Sequence, residues 1–179
     1  MERTLPFALT VVVALAAAPA AAQKKNGACA LLTTQEIEST FAVKPEAPLD
    51  HEEVAQKAPW KGEILRRCNW QLGKGSSAGN VYVNVGVTKT EAQRQASWAQ
   101  LDQVVDQFKS RGWPVEKKTL GKVTCVVGTP PPAQKVATVV HCFTEDKGRG
   151  VAVSPTLATG KVSAESVKAL VEKAVSRLP

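Results

Sequence analysis

Histidine is scarce in this sequence: His51 and His141 are the two present. No C-x-x-C, no H-E-x-x-H and no zinc-spaced cysteine pair accompanies them, which removes the common structural zinc sites, the zinc-protease signature and thioredoxin-like redox chemistry. A G-x-S-x-G nucleophile elbow is missing too. The glycine-rich stretch Gly73-Lys74-Gly75-Ser76-Ser77 lacks the spacing that cradles phosphate. Beyond the N-terminus there is no second long apolar run, so a multi-span membrane protein is excluded. No catalytic residue, cofactor or metal is expected on these grounds.

What is present is 179 residues with a net charge of +7 and four cysteines. The first 22 residues have the order of a secretory signal: Arg3 in a short polar start, an apolar run from Leu5 to Ala18, then Pro19 and Ala20-Ala21-Ala22 as an A-x-A site. Cleavage there gives a mature chain starting at Gln23, with a flexible segment at 23–28 and one domain over 29–179. Glu2 and Arg3 leave together, so the mature charge stays +7. The address implied is periplasmic or secreted.

An exported chain with an even number of cysteines is first read as disulfide-bonded. Cys29, Cys68, Cys125 and Cys142 allow three pairings, and spacing alone does not choose among them. The β-rich runs 122–127 and 136–143 can pair so that Val127 faces Val140 and Cys125 faces Cys142, which makes that bridge feasible and leaves Cys29 with Cys68.

The pattern along the chain gives an α+β fold, an antiparallel sheet packed by helices in the order α-ββ-α-βββ-α. Thr33 with Glu36 and Thr90 with Gln93 are capping boxes that open helices, and Ser163 caps a third. Trp98, Leu101, Val105 and Phe108 form the apolar stripe of the second helix. Val81, Val83, Val85 and Val87 alternate with Tyr82, Asn84 and Gly86, the mark of a strand with one buried face. Residues 66–72 and 80–87 read as a hairpin, and 115–127, 136–143 and 150–154 as three further strands. Residues 44–63 carry three prolines and a local charge of −2, leaving +9 elsewhere, and read as a long loop. Helix followed by strands occurs twice, hinting at duplication.

The opening Cys29-Ala30-Leu31-Leu32-Thr33, followed by Glu36 and later by Cys68-Asn69-Trp70 on a strand, resembles a group of exported bacterial domains of unknown function. That group includes small lipoproteins and secreted proteins with a Cys-x-Leu-Leu-Thr start and a Cys-x-Trp strand. The resemblance implies a Cys29–Cys68 link and a compact sheet with helices. It carries no catalytic residues, and this chain departs from the group in lacking a lipobox and in having a second cysteine pair.

The candidate site residues are few. Trp60 and Trp113 stand beside Pro59 and Pro114 at segment boundaries, where exposed tryptophans serve as recognition anchors. Arg66, Arg67, Lys117 and Lys118 offer a basic surface for an anionic partner. Trp70 and Trp98 sit at apolar positions and read as core, and His141 as a strand residue satisfied locally. Asp50-His51-Glu52-Glu53 could serve a cation or proton transfer, but consecutive residues rarely converge, and a solvated loop is the plainer reading. The function expected is a non-enzymatic binding domain of the bacterial envelope, acting as a monomer on an envelope protein or anionic ligand. Nucleic acid is not expected, nor is a membrane span after leader removal. The alternatives are an inhibitor or immunity-type protein that inserts a loop into an enzyme, and a carboxylate-dependent hydrolase.

Overall fold

The computed structural model describes residues 27–73, 79–134, 138–157 and 162–179. The leader and most of the 23–28 segment lie outside these residues, as does most of the glycine-rich hairpin tip. Within them the elements are α1 (Thr34–Phe41), β1 (Leu49–Val54), β2 (Ile64–Leu72), β3 (Gly79–Val87), α2 (Glu91–Ser110), β4 (Val115–Leu120), β5 (Val123–Gly128), β6 (Val139–Asp146), β7 (Arg149–Thr156) and α3 (Ala164–Ser176). Short 3-10 turns occur at Ala28–Ala30 and Pro132–Gln134. The seven strands form one antiparallel sheet in the order β1-β2-β3-β7-β6-β5-β4.

The class is α+β, but the order is α-βββ-α-ββββ-α, two strands more than the sequence pattern suggests. β1 lies inside the segment read as a loop. Its sequence, Leu-Asp-His-Glu-Glu-Val, is exposed at every position, so no alternation of polarity marks it. Pairing with β2 and an Arg66–Glu52 ion pair at 2.9 Å hold it as a charged edge strand, which suits an edge that must resist further pairing. The second extra strand comes from splitting 115–127 at Gly121. A two-residue hairpin joins Leu120 to Val123, and Gly121 supplies its positive φ of 68°. Ala28 is buried, so the described end of the 23–28 segment is packed against the sheet rather than free.

Strand alternation gives the sheet two unlike faces. One face carries Cys68, Trp70, Val81, Val83, Val140, Cys142, Val151 and Val153. These are covered by the N-terminal turn, α1 and α3, whose Val167, Leu170, Val171 and Ala174 are buried. Both disulfides, Cys29–Cys68 and Cys125–Cys142, lie in this core. Cys125 faces Cys142 and Val127 faces Val140, the register anticipated from the sequence. The opposite face is covered by α2 over β4–β6 only, where Leu101, Phe108, Trp113, Val126 and Phe143 form a smaller core. Trp98 meets Phe143 edge-on at 4.8 Å. Helices α1 and α2 lie on opposite faces of the sheet.

Glu36 ties the two ends of the chain together. It closes the α1 capping box with Thr33 and accepts a forked pair of hydrogen bonds from Arg177 at 2.7 and 2.9 Å, while Arg177 also donates to the Leu31 carbonyl. Arg177, with help from Thr33, lowers the Glu36 carboxyl to about 2 against desolvation. A depressed carboxylate stabilises the fold above its ordinary value of 4.5, and that contribution disappears as pH falls from there to about 2. Arg177 is 39% exposed, so screening trims the gain. Glu36→Gln is expected to cost about 1–2 kcal/mol at neutral pH and close to nothing at about pH 2. Urea unfolding of both proteins across that range checks it; a pH-independent difference would refute the assignment.

Candidate ligand-binding groove

Helix α2 leans over one end of the sheet, so the same face of β1, β2, β3 and β7 is left without a cover among the described residues. Between this bare half-sheet and α2 lies a groove of about 730 Å³, within the usual size of small-molecule sites. Its floor is the non-core set of alternating residues: Asn69 on β2, Tyr82, Asn84 and Gly86 on β3, Gly150 and Ala152 on β7, and His141 on β6. Ser97, Gln100 and Leu101 of α2 make one wall, and His51 and Glu53 of β1 the other. Trp60 lines one end and is fixed there: its indole N–H donates to the Val87 carbonyl at 2.8 Å, and Gln93 of α2 reaches the Pro59 carbonyl at 3.3 Å.

Several polar groups on the floor are held in place yet incompletely used. Arg67 stands opposite Asn84 and donates through Nε to its side-chain oxygen at 2.7 Å. Among the described residues no carboxylate lies within ion-pair distance of Arg67. The Asn69 side-chain oxygen is buried with no hydrogen-bond partner among the described residues, a condition that costs about 1–3 kcal/mol in a closed protein. His141 Nδ1 is occupied by Ser154 Oγ on the neighbouring strand, which leaves Nε2 as the nitrogen free for a ligand. Burial lowers the His141 imidazole to about 4, so it is neutral at physiological pH. Such an imidazole is too weak a base to draw a proton from Ser154 at neutral pH, and the pair serves to orient the ring rather than to make a nucleophile.

Two glycines face each other across β3 and β7 on this floor, and they differ in kind. A Cβ on Gly150 would stand 2.7 Å from the Phe143 ring, so this glycine makes room for a core side chain. A Cβ on Gly86 would meet nothing within 4 Å among the described residues, and the backbone there is ordinary strand. Nothing in the packing requires glycine at 86, and a strand-interior glycine over open space marks a place where another molecule approaches the backbone. Gly150→Ala is therefore expected to destabilise by about 1–3 kcal/mol through overpacking. Gly86→Ala is expected to stabilise by about 0.5–1 kcal/mol. Equilibrium unfolding in urea separates the two, and a loss of stability in Gly86→Ala would contradict the open floor.

The sequence candidates scatter. Arg67 and Trp60 belong to the groove. Arg66 also borders the groove, but its guanidinium is paired with Glu52. Lys117 and Lys118 lie on β4, the far edge of the sheet, paired with Asp102 and Glu116. Trp113 is corrected from an exposed anchor to a core residue: it is 7% exposed, stacks on Phe108 at 5.4 Å and donates to Gln134. The pleat sends Asp50 and Glu52 to one face and His51 and Glu53 to the other, so these four do not converge. Among the described residues no cluster of three or more His, Cys, Asp or Glu could hold a metal ion, and no helix is long and apolar enough to cross a membrane. Asn69, Asn84 and His141 were hidden as functional candidates because polar residues on the outer face of an antiparallel sheet resemble ordinary solvated positions. Gly86, a glycine in the outward-facing set with Tyr82 and Asn84, was the one sequence signal that could have led to the groove.

Comparison with protein-family models, with curated proteins and with solved structures finds no match for this chain.

Proposed function

We propose that this chain is an exported, non-enzymatic binding domain of the bacterial envelope, and that the groove between α2 and the bare half of the sheet is its ligand seat. The observation that carries this reading is the open floor over Gly86, ringed by polar groups that the fold positions and leaves available. Two disulfides, together with the secretory pattern of the first 22 residues, favour an oxidising compartment, periplasmic or extracellular. The Cys29–Cys68 link accords with the proposed kinship to exported bacterial domains that begin Cys-x-Leu-Leu-Thr.

The test is a blocked groove. Gly86→Phe puts a ring into the cavity without a backbone clash, so the variant should fold with a melting temperature equal to or above that of the wild type. Both proteins, exported with their leader by a bacterial host, are exposed to an envelope extract and weighed by native mass spectrometry. The wild type is expected to carry a small-molecule adduct that Gly86→Phe lacks. Equal adducts on both, or none on either, would overturn the groove as ligand seat.

A further inference from the structure

Resting on that reading, we propose that the groove selects a small organic oxyanion, a carboxylate or a phosphate monoester, and that Arg67 is the residue that binds its charged group. Arginine recognises planar and tetrahedral oxyanions through two parallel N–H donors, and does so best when its plane is fixed beforehand. Arg67 meets that condition. Asn84 holds Nε at 2.7 Å, and Nη1 and Nη2 have no hydrogen-bond partner among the described residues.

The arginine is oriented by a neutral amide, so its charge is not cancelled. By contrast Arg66, the next residue, is paired with Glu52. The strand carboxylates on this side of the sheet are Glu53 on the edge strand and Glu145 opposite Gly150, and neither these nor Glu91, Asp102 and Asp106 of α2 lie within ion-pair distance of Arg67. The net charge of +7 adds a long-range field that draws anions to the protein. Leu101, Phe143 and Tyr82 supply apolar surface beside the charged end. The ligand class that fits is therefore a flat apolar body with one oxyanion, its remaining donors met by the Asn69 oxygen.

Calorimetric titration of the mature, disulfide-bonded protein with matched probes tests this. The probes are 2-naphthoate and 2-naphthylacetate, each beside its primary amide, together with 2-naphthyl phosphate. The wild type is expected to bind an acid at least about 10-fold more tightly than its amide, since hydrogen bonds to a charged group are worth about that much or more. Arg67→Gln should bring acid and amide to within about 2-fold, with Arg67→Lys between. Lys117→Gln, on the far edge strand β4, should leave the preference unchanged. A phosphate ester that binds tighter than both carboxylates assigns the site to phosphate, and the reverse order to carboxylate. Equal binding of acid and amide, with both lost in Gly86→Phe, would overturn the oxyanion assignment and leave the groove standing. No binding by any probe, or binding that Gly86→Phe does not alter, would overturn both.

Discussion

Alanine at all four cysteines is expected to leave the protein largely unfolded at about 37 °C. Removing the Cys29–Cys68 crosslink, with a sequence separation of 39, frees enough unfolded-chain entropy to cost about 4 kcal/mol. The Cys125–Cys142 crosslink, with a separation of 17, accounts for about 3 kcal/mol. Together these are comparable with the whole stability of many domains, about 5–15 kcal/mol. The two do different jobs. Cys125–Cys142 joins strands already paired in register, so its single loss should weaken a fold that remains recognisable. Cys29–Cys68 fastens the N-terminal turn to β2, and the turn brings little other than Ala28, Leu31 and Leu32 to the core. Its loss should release that turn before the sheet. Urea unfolding of the four-alanine variant and of each two-alanine variant, followed by tryptophan fluorescence, gives the ranking. Midpoints unchanged from wild type would contradict it.

The second large effect concerns Trp70. Its side chain is wholly buried on β2, opposite Val81 and beside the Cys29–Cys68 bridge. Trp70→Ala is expected to cost about 3–5 kcal/mol, because the sheet on one side and the disulfide on the other limit collapse of the cavity. The indole N–H has no hydrogen-bond partner among the described residues, so part of what tryptophan contributes in volume is cancelled by an unmet donor. Trp70→Phe loses volume but also deletes that donor, and its cost is expected to stay near 1–2 kcal/mol. A Trp70→Phe variant as damaged as Trp70→Ala would show that the N–H does find a partner in solution.

The core face of the sheet was legible in the sequence because burial writes itself as alternation: Val81, Val83, Val85 and Val87 on β3, and the helices through their caps at Thr33, Thr90 and Ser163. The Cys125–Cys142 register followed from the same periodicity. β1 was not legible, since an edge strand exposed on both faces has no alternation to show. Trp113 misled because its neighbours Gly112 and Pro114 signal a boundary, while the side chain turns back onto Phe108. The groove was least legible of all. Asn69, Asn84 and His141 occupy positions where polar residues normally meet water, and only the lean of α2 over half the sheet turns them into a site. Arg67 and Arg66 look equivalent in the sequence, and one step of the pleat separates an available guanidinium from a paired one.

The groove is tested most directly by where a ligand touches the protein. Backbone and side-chain amide NMR spectra recorded during titration with 2-naphthylacetate would locate it. The predicted result is that the Asn69 and Asn84 side-chain amides, the Gly86 amide and the His141 ring shift together, while α1, α3 and the disulfide face stay unchanged. Shifts confined to the α3 side or to β4, or the absence of any shift at Asn84 and Gly86, would contradict it.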